Sequence, residues 1–318
     1  MKTLYITSPI TKWKFDEDTT PLMIAEVRKR GGETWMSTPR DISVKDSAVS
    51  ARCKTIELTD SSPFHCLGKE EYRPLGDFDV IHLRTDPPFD LEYYYTTIFL
   101  EMVPTNTLVL NEPNSVRYLN EKLAILLFPD FITETIVTFD VEEGADFVQS
   151  VGGKAVAKEL SQCSSRGITL LEGSRASIVE KLKPLVSSGG GQIMIQRFLE
   201  GVVEGETRIT MIDGEPLGVM KKVPAKGSFL ASMDFGAVGE PCQLTERDKQ
   251  LCKAVGNYLS RQGILFAALD VIDGHLSEVN LTSPGLMRHT NEVMGIKLEE
   301  ALEDAVERWV KERKLGLR

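Results

Sequence analysis

Apolar and polar positions along this chain repeat with two periods, one for strands and one for helices, and their order predicts an α/β protein. Lys2–Thr7 reads as a strand, and Pro21–Arg30 reads as a helix that Gly31-Gly32 can end, so the chain opens as strand, loop and helix. A further strand is expected at Asp79–Arg84, followed by the turn-forming Thr85-Asp86-Pro87-Pro88, a helix over Asp90–Val103 and a short strand at Thr107–Leu110. This order fits a domain that presents binding groups on the loops after its strands, and the pattern changes near residue 120.

From Asn114 the pattern predicts a helix that contains Asn120-Glu121-Lys122 and gives way after Pro129 to the β-rich TETIVTF. A helix near Val141–Val151, strands at Lys154–Leu160 and Ile168–Leu171 around the polar loop Ser161–Gly167, and a helix over Ser174–Val186 make a second α/β unit ahead of Gly189–Gly191. A strand is expected at Gln192–Arg197. Two hairpins follow, ETRITMI-DG-EPLGVMKKV and ILFAALDVI-DG-HLSEVNL, each with Asp-Gly as its tight turn, and helices are expected at Thr245–Gln262 and Leu298–Lys311.

Composition narrows the partners. The chain has 318 residues, 42% of them hydrophobic, which is enough for a substantial core in two domains or in one domain with an insertion. The 37 basic and 47 acidic residues give a net charge of −10, which argues against a nonspecific nucleic-acid or anionic-membrane binder but leaves room for a local phosphate pocket. Cys53, Cys66, Cys163, Cys242 and Cys252 are odd in number and widely spaced, so free thiols in a reducing compartment are expected. The N-terminus has no apolar stretch of signal-peptide length and no 18-residue apolar run occurs elsewhere, so a soluble cytoplasmic protein is expected. The GxxxxGK[ST] phosphate loop is absent, and His65, His82, His275 and His289 form neither a metal motif nor a nucleophile–His–acid signature.

The most informative pattern is the hairpin Asp270 to Asn280. If Asp273-Gly274 makes the turn, Asp270 on one arm and Glu278 with Asn280 on the other converge on one side, because residues 278 and 280 share a strand face. Two carboxylates and an amide oxygen suit Mg²⁺, with nucleotide phosphates and water completing the octahedron; a solvated hairpin with unrelated acids is the alternative. Lys122, Lys158, Arg208 and Lys222 are the cations available to phosphate, and Lys158 projects from an apolar strand. Each lysine taken alone is as readily a solvated surface group.

Taken in order, Arg84-Thr85-Asp86-Pro87-Pro88-Phe89-Asp90, Asn120-Glu121-Lys122, the Arg208 hairpin and Asp270 through Pro284 resemble the bacterial glutathione synthetases of the ATP-grasp ligase superfamily. The resemblance implies a Rossmann-like preATP-grasp domain that binds substrate over residues 1–120, a small ATP-grasp subdomain over 121–190 and a C-terminal ATP-grasp subdomain over 191–318. It implies ATP phosphate contacts at Lys122 and Lys158, an adenine border at Gln196, Arg197, Phe198 and Leu199, and Mg²⁺ ligands at Asp270, Glu278 and Asn280. It assigns Arg208 and Arg288 to anion or acylphosphate handling, places Lys222 where relatives usually present arginine, and gives recognition of a peptide-like carboxylate to Arg84 and Asp86. The implied reaction activates that carboxylate with ATP as an acylphosphate, which a small amino-acid acceptor then attacks, in a homo-oligomeric enzyme that forms a peptide bond.

Two segments depart from the family's pattern. Ser161–Gly167 stands where relatives carry a glycine-rich phosphate-covering loop, and the serine hydroxyls with Arg166 are the donors available there. Phe229–Gly239 lacks an arginine that relatives place in that segment. These departures leave open a related ATP-grasp ligase with another acid or amine, or a nucleotide-binding interaction protein with little ligase activity.

Overall fold

The computed structural model describes residues 1–86, 88–162, 167–188 and 191–317, and within them the chain forms three sheets. The first contains β1 (Lys2–Thr7), β2 (Glu33–Ser37), β3 (Ile42–Lys45), β4 (Ala48–Leu58), β5 (His65–Leu67), β6 (Glu71–Pro74), β7 (Val80–Arg84) and β8 (Leu108–Leu110). Its order is β3-β4-β2-β1-β7-β8, with β5 and β6 also pairing β4. The strands β2, β1, β7 and β8 run parallel, joined through α1 (Thr19–Lys29) and α2 (Leu91–Glu101). The antiparallel strands β3 to β6 lie in a stretch where the apolar pattern predicted no element. In β4, exposed Arg52 alternates with buried Ala51 and Cys53, and such a half-solvated strand offers no continuous apolar run to recognise.

The second sheet, β11-β10-β12-β9, is antiparallel: β9 (Thr135–Thr138), β10 (Lys154–Glu159), β11 (Ile168–Glu172) and β12 (Ile193–Arg197). Between the first two sheets runs α3 (Pro113–Tyr118), while α4 (Val141–Ser150) and α5 (Arg175–Ser188) bury Ala145, Val148, Ile178 and Leu182 with Ala155, Ala157 and Ile195. Because β12 pairs with β10 and β9, this sheet extends to Arg197, across the division expected at residue 190. A correction concerns Asn120-Glu121-Lys122. The α3 helix ends at Tyr118, and the Asn120 Oδ1 accepts the backbone N–H groups of Lys122 (3.0 Å) and Leu123 (3.1 Å), which turns the chain instead of continuing the helix.

The third sheet, β15-β14-β13-β16-β17, contains β13 (Glu206–Ile212), β14 (Glu215–Val223), β15 (Val238–Pro241), β16 (Phe266–Ile272) and β17 (His275–Asn280). Both Asp-Gly turns place their two central residues at positive φ, 50° and 82° at Asp213-Gly214 and 50° and 69° at Asp273-Gly274, as a two-residue hairpin turn requires. The helix α6 (Glu246–Arg261) starts at a reciprocal cap between Thr245 and Asp248. Then come α7 (Met287–Met294), which the pattern did not predict, and α8 (Leu298–Lys314). No helix among the described residues is long and apolar enough to cross a membrane.

The last helix returns to the first sheet. Leu302, Val306 and Trp309 of α8 share a core with Tyr5, Met23 and Ile24, and Arg30 of α1 donates to Asp304 at 2.7 Å. Asn111, just after β8, forms the other tie. Its amide donates to the Phe266 and Leu281 carbonyls (2.7 and 2.8 Å), and its Oδ1 accepts the Leu265 and Phe266 N–H groups (both 3.0 Å). One side chain thus completes the backbone bonding where the first and third sheets meet.

Asn111→Ala would leave those buried backbone groups unpaired and is expected to cost about 2–4 kcal/mol, read as a lower urea midpoint. Glu303 of α8 is also buried, and burial pushes its carboxyl from 4.5 up to about 7, with Glu307 adding to the shift. Between those pH values the unfolded chain has released this proton while the folded chain keeps it, so the group's contribution to stability falls as pH rises. Glu303→Gln is therefore expected to be more stable than the parent by roughly 2 kcal/mol at pH 8, with the gain disappearing near pH 4 in urea titrations.

Candidate functional site

Strand register brings the charged residues together. Arg208 on β13 stands opposite Asp270 on β16, Asp270 stands opposite Glu278 on β17, and Glu206 on β13 stands opposite Lys222 on β14. The two-residue period puts Glu206 beside Arg208, and Glu278 beside Asn280, on one face of this sheet. That face lines a cleft of about 920 Å³, which also receives residues from the other two sheets.

Within the cleft, Arg208 Nη1 donates to Asp270 Oδ2 at 2.7 Å, and Lys222 Nζ lies 3.1 Å from Asp270 Oδ1 while also pairing with Glu206. Asn280 Nδ2 donates to Asp270 Oδ2 at 3.0 Å. Lys158, reaching over from β10, donates to the Ser277 carbonyl (3.1 Å) and hydroxyl (2.8 Å). Lys122 pairs with Glu278 at 3.1 Å and donates to the Gln162 carbonyl. Around the hairpin, Glu121, Glu206, Asp270 and Glu278 thus stand with Lys122, Lys158, Arg208 and Lys222 in one part of the cleft.

Burial makes that balance consequential. It pushes the Asp270 carboxyl up, but the Arg208 and Lys222 charges more than offset it and hold the group well below the usual carboxylate range. Burial raises Glu206 to about 7 even though Lys222 opposes it. Burial lowers the Lys158 ammonium, with Glu278 only partly restoring it. Lys222 and Arg208 are raised, because Asp270 and Glu206 outweigh their own loss of solvent.

The donor chemistry fits a magnesium nucleotide. Asp270, Glu278 and Asn280 supply hard oxygens from adjacent register positions, and Asn280 turns its amide nitrogen toward Asp270, which leaves its oxygen free of that bond. The described residues hold no cluster of three or more His, Cys, Asp or Glu arranged for a metal, so phosphate oxygens would have to complete the coordination. On the opposite wall, Gln196 is buried and donates to Thr135 Oγ1 at 3.0 Å, Arg197 spends its guanidinium on Glu134 at 2.7 Å, and Leu199 lines the cleft. Phe198 meets Phe229 edge-on at 6.0 Å and carries the Lys154 ammonium 3.9 Å from its ring centre.

Arg84 and Asp86 line the same cleft. Arg288 does not: its Nη2 donates to the Phe15 carbonyl at 3.3 Å, and the residue lies on a shallower hollow with Phe15, Asp16 and Arg28. Arg166 lies outside the described residues, as do Cys163, Ser164 and Ser165 of the same loop.

Two acids in the cleft were not assigned roles from the sequence. Glu206 lies two residues before Arg208, so strand periodicity could have found it. Glu121 is buried, and its Oε1 accepts Leu281 N–H (2.8 Å), Thr282 N–H (2.9 Å) and Thr282 Oγ1–H (2.8 Å), while its carbonyl accepts Val279 N–H (2.9 Å). It therefore ties the turn carrying Lys122 to the strand carrying Glu278 and Asn280. Only the fold supplies that role.

Residues 1–117 match the family model described as prokaryotic glutathione synthetase, N-terminal domain, and residues 121–295 match that described as prokaryotic glutathione synthetase, ATP-grasp domain. The chain is 35% identical over 291 residues to a glutathione synthetase of Brucella melitensis biotype 1, covering 91% of this chain and 93% of that protein. It is 32% identical to one of Thermosynechococcus vestitus, covering 94% and 97%. Among solved structures it is similar to a D-cycloserine synthetase (TM-score 0.68, 17% identity, 96% and 99% covered). It is also similar to D-alanyl-alanine synthetase A of Vibrio cholerae (TM-score 0.63, 14% identity, 97% and 98% covered).

Glu121→Ala would release three donors and the register between Lys122 and Glu278, and is expected to lower kcat for ATP consumption roughly 100-fold. Glu121→Gln retains an oxygen where all three donors converge and is expected to recover most of that loss. If the glutamine variant is as impaired as the alanine one, the charge matters and the positioning account fails.

Proposed function

We propose, from the premise that the chain belongs to the prokaryotic glutathione synthetase family, that it joins γ-glutamylcysteine to glycine in a Mg-ATP-dependent reaction. The coarser statement, an ATP-grasp ligase of carboxylate–amine type, follows from the family and the fold together. The Mg-ATP part of this reading is supported by the cleft, where four cations reach the hard-oxygen hairpin from two sheets and the linking turn, and the choice of γ-glutamylcysteine and glycine rests on the family.

Lys122 and Lys158 are placed to take phosphate oxygens in exchange for their present partners Glu278 and Ser277. Arg208 and Lys222 are placed to stabilise negative charge as a phosphoryl group moves to the substrate carboxylate, forming the acylphosphate that the amine attacks. Asp270, Glu278 and Asn280 would hold Mg²⁺, which supplies further neutralisation of phosphate charge. The phosphate lysines come from β10 and the turn after α3, whereas Arg208 and Lys222 come from the third sheet, so the same cleft holds both ends of the transfer. We also take the protein to act as a cytoplasmic homo-oligomer, supported by the free thiols of Cys53, Cys66, Cys242 and Cys252 and by exposed Leu91, Tyr94 and Tyr95 on α2.

A second reading, ligation of a different acid or amine, draws support from one segment. Phe229, Leu230, Ser232, Met233 and Asp234 line the cleft in the stretch that lacks the family's arginine, so that wall carries apolar groups and an acid but no cation of its own among the residues that line it.

The test is phosphate release by the purified chain with MgATP, with γ-glutamylcysteine and glycine compared against other acids and amines and the product mass read in the same reaction. Glutathione is the expected product, and Asp270→Asn is expected to lower kcat about 10²–10³-fold. A different condensation product would establish the second reading. ATP binding without acid-dependent turnover would overturn both.

A further inference from the structure

Both connections that join the second sheet to the rest of the chain are bonded to the tip of the hairpin that carries Asp270, Glu278 and Asn280. One connection runs from α3 to β9 through Asp130 and Phe131, and the other runs from β12 to β13 through Gly201. The tip is Asp273-Gly274. Turn chemistry alone accounts for that pair, but Asn-Gly or Gly-Gly would turn the chain equally well. The long-range bonds made at the tip need a separate explanation.

Asp273 is exposed, and its Oδ2 accepts the backbone N–H of Gly201 at 3.0 Å across 72 residues. The carboxylate lies so close over residue 201 that a Cβ there would stand 1.8 Å from Oδ1, and only glycine leaves room for the bond. Glu200, one residue earlier, pairs with Lys154 of β10 at 2.9 Å, and the Phe198 N–H donates to the Lys154 carbonyl at 3.1 Å. This connection is therefore bonded to the second sheet on one side and to the hairpin on the other. At the next residue of the tip, the Gly274 carbonyl accepts Arg247 Nε at 2.7 Å. Arg247, in the first turn of α6, also donates from Nη2 to the Asp130 carbonyl at 3.0 Å, and its guanidinium carbon lies 5.6 Å from the centre of the Phe131 ring. One side chain thus holds the tip to the other connection.

A magnesium nucleotide would need both sheets at once. Phe198 and Leu199 line the cleft just ahead of Gly201, whereas the hard oxygens stand on the hairpin. Any freedom between these two parts would have to be removed on each binding event, which weakens binding. We propose that Asp273 and Arg247 are positioning residues that hold the hairpin tip to both connections, and so keep the Phe198–Leu199 segment and the hard oxygens at the spacing of one magnesium nucleotide. The inference rests on the Mg-ATP part of the reading above and adds residues that act from behind the site, since Asp273, Gly201 and Arg247 do not line the cleft.

The experiment is calorimetric binding of ADP to the full chain, once with Mg²⁺ and once with EDTA. The ratio of the two affinities reads how well the hairpin is presented to a nucleotide that the second sheet already holds. Asp273→Gly removes the carboxylate while keeping a turn-forming pair, and is expected to cut the Mg²⁺ enhancement about tenfold while the affinity in EDTA changes by less than about twofold. Arg247→Ala is expected to act in the same direction. Asp273→Asn keeps the turn and an acceptor oxygen, and is expected to stay near the parent. Gly201→Ala is expected to match Asp273→Gly and to add nothing when combined with it, because its Cβ acts by displacing that carboxylate. In turnover, KM for ATP is expected to rise in Asp273→Gly with KM for the acid unchanged. Asp213→Gly is the control: it removes the bonds from the other Asp-Gly turn to Arg308 and Trp309 and is expected to keep the full enhancement.

An equal loss of affinity with and without Mg²⁺ in Asp273→Gly would reduce the bond to a structural one and overturn the proposal, as would an unchanged enhancement. An Asp273→Asn chain as impaired as Asp273→Gly, or additive effects of Gly201→Ala and Asp273→Gly, would overturn it too. Each of these outcomes leaves the ligase reading standing. A parent chain that binds ADP no better with Mg²⁺ than in EDTA would remove the magnesium reading of the hairpin and this proposal with it.

Discussion

Buried charge needs a partner, and this chain is organised around one place where that requirement is met by several elements at once. Asp270 is 4% exposed and touches Arg208, Lys222 and Asn280, each from a different strand. Removing one of these cations would leave a carboxylate in the low-dielectric centre of the third sheet. The same constraint extends outward, because Glu278 needs Lys122 and Lys158 has to be drawn from the second sheet to Ser277. The charge balance therefore helps set the relative positions of two sheets and the turn between them, beyond any role it has toward substrate.

Side-chain bonds to backbone groups do the corresponding work at the seam with the first sheet. Asn111 completes the backbone bonding of residues 265, 266 and 281, and Arg84 reaches the Pro284 carbonyl from β7. Both act on the segment between Leu281 and Leu286, which Glu121 also holds. That segment follows the hairpin carrying Glu278 and Asn280, so domain packing and the geometry of the hard-oxygen ligands are coupled through a few residues. Leu286, at φ +69°, is a branched side chain in the left-handed region that glycine favours, and surrounding contacts must hold it there.

The departures from the family pattern act on separate parts of the cleft. Lys222 is a point charge that reaches both Glu206 and Asp270 in the strand register described, and a planar guanidinium would make those two contacts with a different geometry. Phe229, at the start of the segment without the family's arginine, sets an aromatic edge against Phe198. The Lys222 change bears directly on the Asp270, Glu278 and Asn280 set, because its ammonium lies 3.1 Å from Asp270 Oδ1.

Periodicity and turn chemistry by themselves determined most of the strands and helices, both Asp-Gly hairpins, and the meeting of Asp270 with Glu278 and Asn280, because these depend on spacing within one short stretch. The half-solvated strands β3 to β6 escaped because their apolar pattern is broken, and Asn120-Glu121-Lys122 was expected to be helical because a side-chain cap to Lys122 and Leu123 leaves no mark on an apolar pattern. Resemblance to a family named Arg288, while the direction of its guanidinium, with Nη2 donating to the Phe15 carbonyl, depends on what packs beside it. Only the tertiary structure decided that Glu121 bonds across 160 residues to Leu281, that Lys158 meets Ser277 across 119, and that Arg84 reaches the Pro284 carbonyl across 200. Such long-range pairings follow from desolvation on folding, since a buried polar group must find whichever partner the packing brings within reach.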